Sequence, residues 1–381
     1  MKTFYQILLL TVILVSCKSE KQKQFEKNIL GEWNFVKNVE LKQESTKQII
    51  EEPPSPFLRN LGGFIFKSNG TLIDKVGFFD FDEGKSREER RIFYKGDSTK
   101  YEIADDSLKI FNPIEKSWNK YKLISISNDT LTLQKNQDYY LKYYKPTYKP
   151  NPNETFDKII ISSSGCYGTC PIMSIEFNKN GKVFYLGEKY NTVNGFYTST
   201  ISKLEYEKIE NSFKKANIMK LKKSYSTHIT DSNTITITFV KNNKIIKTVS
   251  DYASQAPSEL IMAYRKAIFK YQKIRLSKID TNKGFAYSTS FTMDGSKKHI
   301  FLSQSESFLL LNEILNGRMV KVDFNGKYKM TFYDGINLET EFIIDTDGRF
   351  YKYQNQVYDI GYNFIEINNL EKRTSPSWLV D

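Results

Sequence analysis

The sequence predicts a multidomain, strand-rich fold, an antiparallel β-barrel followed by α+β domains, and three observations carry that prediction. At 381 residues the chain exceeds what one ordinary hydrophobic core organises. Its 25 tyrosines and 27 phenylalanines recur in Thr- and Ile-rich runs between Asn-Gly and Asp-Gly turns, which favours strands. Near residue 150, the segment Lys145-Pro-Thr-Tyr-Lys-Pro-Asn-Pro-Asn-Glu154 is spaced by prolines and suits a semi-rigid linker rather than a core. A domain boundary therefore falls at residues 146–154.

Residues 28–145 read as one barrel. Leu30-Gly31-Glu32-Trp33 opens a series of short strands at 63–67, 71–79, 92–94, 100–103, 108–111, 118–125, 130–134 and 139–144. Ser68-Asn69-Gly70 and Ser127-Asn128-Asp129 supply turns between them. So many strands with such close turns favour sequential antiparallel closure, which removes exposed edges. Gly31-x-Trp33 on the first strand, followed by a meander, resembles the lipocalin-like domains of bacterial lipoproteins. The resemblance implies that Trp33 plugs one end of the barrel and that the interior holds a small apolar ligand. The alternative is an interior filled by its own side chains.

Residues 155–274 predict an α+β domain. A strand at 159–163 leads into the loop Gly165-Cys-Tyr-Gly-Thr-Cys-Pro171, and a hairpin about Asn180-Gly181 follows. Ser202 with Glu205 forms a capping box, after which Tyr206, Ile209, Phe213 and Ala216 recur at helical spacing. Ile235, Ile237 and Phe239 alternate with threonines, and Lys241-Asn242-Asn243-Lys244 turns the chain into a partner strand at 245–249. A second helix starts at Pro257. Strands with two helices to cover a face make an α+β sandwich. The Gly-Cys-x-Gly-Thr-Cys-Pro loop, Gly195-Phe196-Tyr197 and Asp251-Tyr252 together resemble a family of uncharacterised domains in bacterial lipoproteins and secreted proteins.

Residues 275–381 predict a smaller C-terminal α+β module. Strands are expected at 285–293 and 299–302, then a helix opened by Ser303-x-x-Glu306 and running through Leu315. A meander follows, turning at Asp334-Gly335 and Asp347-Gly348.

The first 16 residues read as a signal peptide: Lys2, a short apolar run and Ser16 before Cys17. The run is too short to span a bilayer, which takes roughly 20 apolar residues. Leu14-Val15-Ser16-Cys17 resembles the lipobox of bacterial lipoproteins, which implies cleavage before Cys17 and lipidation of that cysteine. Residues 17–27, strongly polar, then read as a lipidated tether. Lys18 stands where the best-known inner-membrane retention signal has Asp, so the expected address is the cell envelope at the outer membrane, on its periplasmic or surface face.

With Cys17 lipidated, only Cys166 and Cys170 remain, and in an exported compartment a disulfide is the default for them. The spacing Cys166-x-x-x-Cys170-Pro171 also resembles thioredoxin-like copper chaperones, and soft thiolates suit Cu(I). In that fold the second cysteine sits on a helix, whereas Ile172 to Phe177 alternates like a strand. Hydrolytic chemistry has little to draw on: only His228 and His299 are present, without a nucleophile elbow or a His-Glu-x-x-His motif. His228-x-x-Asp231 reads as a polar loop, and Asp345-x-Asp347-Gly348 reads as a turn rather than a calcium site. The formal charge of +12 is mostly lysine spread along the chain, which suits a surface near anionic head groups better than nucleic acid. The expectation is a membrane-anchored, non-enzymatic binding or interaction lipoprotein with no cofactor or metal, whose partner is a small apolar ligand or an envelope protein. The alternative is a thiol-redox or copper-handling protein using Cys166 and Cys170.

Overall fold

A computed structural model describes residues 20–40, 61–82, 86–104, 106–137, 139–279, 292–295, 298–333, 341–353 and 355–373. The leader, Cys17 and most of the strand expected at 285–293 lie outside these residues. The chain divides into two compact units, one of residues 1–78 with 95–147, the other of residues 79–94 with 148–381.

The first unit is built on a closed barrel of eight strands in sequential order. They are β1 (Gly31–Glu40), β2 (Gly63–Phe66), β3 (Thr71–Phe81), β4 (Ile92–Ala104), β5 (Ser107–Asn112), β6 (Ser117–Ile126), β7 (Thr130–Gln134) and β8 (Tyr139–Tyr144). Closure comes from β1, which pairs antiparallel with β2 on one side and β8 on the other. The close approach of β1 and β2 explains Gly63: a Cβ there, at φ +145°, would run into the Trp33 carbonyl. The separate strands expected at 92–94 and 100–103 are one strand, β4, with Gly96 at φ +108° inside it.

The described side chains of the barrel pack into one core. Trp33, Leu72, Leu108, Leu131 and Leu133 are fully buried in one cluster, with Phe66 and Tyr143 beside them. Within the segment expected as tether, residues 20–27 together with Asn28 form helix α1 (Glu20–Asn28). Its Phe25, with Ile29 just after it, buries into the same cluster. The reason is local: one aromatic at Phe25 and one isoleucine at Ile29 are four residues apart and so share a face. Trp33 Nε1 donates to the Ile29 carbonyl at 2.6 Å, and Lys145 Nζ lies 4.9 Å from the centre of the indole.

The second unit contains a central sheet and a smaller one. The central sheet is built from β9 (Lys158–Ser163), β10 (Ile172–Asn178), β11 (Lys182–Lys189), β12 (Gly195–Thr200), β13 (Ser224–Tyr225), β14 (Thr234–Lys241), β15 (Lys244–Tyr252) and β16 (Ser277–Lys278). Their order is β13-β15-β14-β9-β10-β11-β12-β16. The middle strands are buried on both faces, so their alternation sorts side chains between two layers. One layer holds helices α2 (Lys203–Lys214) and α3 (Ser258–Ile268). There Phe213 meets Phe239 edge-on at 5.3 Å, and Tyr271 stacks on Tyr185 at 4.1 Å.

The opposite face presents Ile160, Phe184, Leu186 and Val240 to helix α4 (Gln304–Asn316), whose Phe308, Leu309, Leu310 and Leu311 are buried. The same cluster takes in Met330, Ile344, Tyr351 and Tyr358. These four belong to a second sheet, built from β17 (Thr292–Gly295), β18 (Lys298–Phe301), β19 (Arg318–Val320), β20 (Tyr328–Tyr333), β21 (Glu341–Thr346), β22 (Phe350–Tyr353) and β23 (Gln356–Asp359). Residues 155–274 and the described part of 275–381 thus share one core. The Ser303 and Glu306 capping box starts α4 as the sequence predicts, but it is buried. Ser305 bonds Thr238 at 2.8 Å, and Glu306 accepts from Thr248 at 2.7 Å and from Arg373 at 2.7 Å. That arrangement accounts for the threonines that alternate with Ile235, Ile237 and Phe239: they receive the polar start of a helix.

Candidate ligand pocket beside the disulfide loop

The loop between β9 and β10 is tight and small-residued. Cys166 and Cys170 stand at disulfide distance with Cα atoms 5.6 Å apart, within the range that a disulfide bridges. The Gly168 N–H points at Cys166 Sγ, 3.2 Å away. Pro171 then delivers the chain directly into β10, a strand rather than a helix. The far side of the loop is tied down by Asn191, whose Nδ2 donates to the Ile172 and Lys189 carbonyls at 2.7 and 2.9 Å. Tyr167 projects into solvent at the loop tip, 78% exposed.

This loop forms one wall of a pocket of about 670 Å³ in the second unit. Met173 and Ile235 form its floor from the sheet, and Ile261, Ile268 and Phe269 line it from α3 and the turn beyond. Phe79, Phe81 and Ile92, from the part of β3 and β4 that belongs to this unit, also line it. Phe81 is 55% exposed.

Asp251 braces the pocket from behind. It is buried, and its Oδ1 accepts from the Gln255 and Ala256 amides at 2.6 and 2.9 Å. Oδ2 accepts from the Tyr264 hydroxyl at 2.9 Å. Those bonds hold the turn through Ala253 and Ser254, both left-handed at φ 56°, against α3. Burial pushes the Tyr264 phenol well above its ordinary range and the Asp251 charge adds to that, so Tyr264 stays a neutral donor. The Asp-Tyr pair that stood out in the sequence therefore shapes the pocket wall rather than offering a reactive carboxylate. Tyr252 contributes to the same brace, its hydroxyl accepting from the Ser232 amide at 3.1 Å.

Residues 157–269 match the family model of DUF6438, a domain of unknown function. No curated protein matches the chain. The DUF6438 segment holds the cysteine loop, the Asp251 brace and most of the pocket lining, while Phe79, Phe81, Arg90 and Ile92 come from outside it.

Among the described residues the pocket lining includes the guanidinium-bearing Arg90 and Arg265 together with Ser163, Asn233 and Ser254, and no aspartate or glutamate. Arg265 lies over the Phe79 ring, 5.0 Å from its centre.

The remaining sequence candidates fall elsewhere. Asp347 makes a turn, with Oδ1 accepting from the Arg349 and Phe350 amides at 2.8 Å each. Asp231 sits at φ 70° and accepts from Thr230 at 3.3 Å. The side chain of His299 lies outside the described residues. Among the described residues no group of three or more His, Cys, Asp and Glu side chains is placed to hold a metal.

Sequence reasoning missed the two arginines of the pocket, because Arg90 and Arg265 are 175 positions apart in the chain. It also missed a buried ionic cluster under α4. There Glu176 accepts from Asn312 at 2.8 Å and Asn178 at 3.0 Å, and Lys158 lies 3.7 Å from Glu176 while bonding Glu313. Burial drives the Glu176 carboxyl above its ordinary range, with Lys158 and Asn312 pulling back.

Proposed function

We propose that this protein is a lipoprotein of the cell envelope, anchored through Cys17, that binds an apolar ligand in the pocket beside the Cys166–Cys170 loop and performs no catalysis. The observation that carries the binding reading is the pocket itself. Its volume of about 670 Å³ sits inside the range of roughly 300–1,000 Å³ typical of small-ligand sites, and its walls are mainly apolar with a few polar groups. In the barrel, by contrast, Trp33 and its neighbours are buried against one another in one cluster. Support for the anchor is the leader and its Leu-Val-Ser-Cys17 ending. Among the described residues no helix is long and apolar enough to cross a membrane. More than one acyl chain makes attachment effectively stable, at about 0.8 kcal/mol per buried methylene.

The test uses the neutral, polarity-sensitive dye N-phenyl-1-naphthylamine. Purified protein is expected to bind it saturably, and Thr169→Trp, which fills the pocket from the loop, is expected to abolish that binding while leaving the circular dichroism unchanged. Dye binding that ignores Thr169→Trp would overturn the pocket reading. For the anchor, cells fed an alkynyl fatty acid are expected to label the wild type and not Cys17→Ala.

A second reading, thiol-redox or copper handling, draws on the Gly168 N–H directed at Cys166 Sγ, which would favour a thiolate once the pair is reduced. Mass spectrometry of protein isolated under thiol trapping decides it. A disulfide that survives mild reductant, with no bound copper, counts against this role.

A further inference from the structure

The outer wall of the barrel carries lysines set directly against one another. Leu108 and Ile110 on β5, Leu123 on β6 and Tyr143 on β8 are buried in the barrel core, so Lys109, Lys122 and Lys142, their neighbours in the chain, face outwards. Lys109 pairs across the strands with Lys120, and Lys142 with Lys37. We infer that this lysine band docks on the anionic head groups of a phospholipid bilayer, the choice of that bilayer resting on the Cys17 anchor proposed above.

Charge complementarity is the first ground. Directly opposed residues hold their Cβ atoms about 4.5–5.5 Å apart, and like charges placed so destabilise the strand pair. Nothing in the fold offsets that repulsion: Lys37, Lys109, Lys120, Lys122 and Lys142 form no ion pair and no side-chain hydrogen bond. Glu102 stands opposite Lys109 on β4 without bonding it, and Asp129 is turned to the Ser127 hydroxyl at 2.9 Å. Lysines on a strand often guard an exposed edge, but a closed barrel has no edge to guard. An anionic surface laid against the band turns its repulsion into attraction. A single small anion would need donors that converge, whereas these ammonium groups are spread over β1, β5, β6 and β8 and suit a broad surface of mobile head groups.

The second ground is the length of chain before the barrel. Gln22 Nε2 donates to the Ile103 carbonyl at 3.0 Å, so the chain is fastened to the end of β4 five residues after Cys17. Five residues span at most about 18 Å in any conformation. Ile103 adjoins Glu102, whose partner across the strands is Lys109. A lipid on Cys17 therefore holds the Lys109 end of the band close to the head groups, where each lysine is worth about fivefold in affinity for an anionic surface.

The experiment measures flotation of the full mature chain carrying Cys17→Ser, which has no acyl group, with vesicles of phosphatidylcholine alone or mixed with phosphatidylglycerol. Binding is expected to the mixed vesicles only, and to weaken as salt is raised. Lys120→Glu/Lys142→Glu sets a carboxylate opposite Lys109 and another opposite Lys37. In the same background that variant is expected to raise the urea midpoint and to weaken vesicle binding at least about tenfold. A gain in stability with a loss of binding separates the docking role from misfolding. Lys116→Glu/Lys135→Glu makes the same change of charge in the β5–β6 and β7–β8 turns, at the strand ends remote from Ile103. Its affinity is expected to stay within about threefold of the parent, since charges beyond a Debye length are screened. Equal binding to both vesicles, binding to neither, or equal losses in the two variants overturns the inference. Preference for duplex DNA over the mixed vesicles at equal phosphate concentration overturns the lipid assignment as well. Failure of Cys17 to take up fatty acid in cells sinks the anchor reading instead, and leaves the lysine band, measured on the unacylated chain, standing.

Discussion

At the scale of single residues, the sequence exposes side chains whose partners are close in the chain and hides those whose partners are distant. Trp33 stands out because Gly31-x-Trp33 is a local pattern, yet Lys145, which lies over its indole, comes from the far end of the barrel segment. Glu176 looked like an ordinary polar position in an alternating strand; only the packing of α4 reveals it as a buried carboxylate beside Lys158 and Glu313. That cluster makes a prediction with a definite sign in pH. Burial pulls the Lys158 ammonium down, but Glu176 and Glu313 outweigh it and hold it above its ordinary range. Lys158→Met would leave two acidic groups without their shared cation, at a cost of about 3–5 kcal/mol near neutral pH. The folded-state Glu176 carboxyl already titrates above its unfolded value, so stability associated with it rises as pH falls through that raised value. Removing Lys158 raises it further. The deficit of Lys158→Met is therefore expected to shrink between pH 8 and pH 5, as urea melts across that window would show; a deficit that grows on acidification contradicts the assignment.

At the scale of elements, helix starts were readable because a capping box is confined to four residues. Ser202 with Glu205 and Ser303 with Glu306 both begin helices where expected. The turn at Asn242 and Asn243 was readable for the same reason, both residues adopting positive φ, which asparagine tolerates. Helix α1 escaped notice because its mean character is polar, and the apolar side chains that it and the residue after it bury in the barrel core are Phe25 and Ile29. Strands of two to four residues, such as β13, β19 and β23, carry too little alternation to announce themselves. The cysteine loop lies between these cases: its sulfur pairing was the default from compartment and count, but the pocket behind it was invisible, since the opposite wall comes from residues 79–92 and 254–269. A bridge closing so short a loop stabilises modestly, about 2 kcal/mol in the chain-entropy account. The variant Cys166→Ser/Cys170→Ser is thus expected to remain folded with a lowered urea midpoint, and to bind N-phenyl-1-naphthylamine more weakly because the loop wall is no longer held. Unchanged dye affinity at the reduced midpoint would separate the loop from the pocket.

At the scale of the whole molecule, composition and the Pro-spaced linker were enough to foresee a barrel followed by α+β structure, because closure of a meander and a change of period from two to 3.6 are both written along the chain. The extent of the second core was not, for a physical reason that can be tested. Residues 155–274 contain a sheet and two helices, which is enough for a sandwich on paper, but two helices cover only one face. The other face carries Ile160, Phe184, Leu186, Phe196 and Val240, all 6% exposed or less, beneath α4. It also carries Thr236 and Thr238, whose hydroxyls bond Ser305, and Glu176, which needs Asn312. A chain ended after Ile279 would expose those apolar groups together and leave the buried carboxylate with Asn178 but without Asn312. Each large apolar side chain so uncovered forfeits about 1.5–3 kcal/mol, which for five of them rivals or exceeds the 5–15 kcal/mol that holds a typical domain together. The truncated chain is accordingly expected to keep a folded barrel while residues 155–274 lose their slowly exchanging amides in hydrogen exchange, starting with β9, β10 and β14. Protected amides in those three strands after truncation would mean that the matched segment folds alone and that α4 merely decorates it.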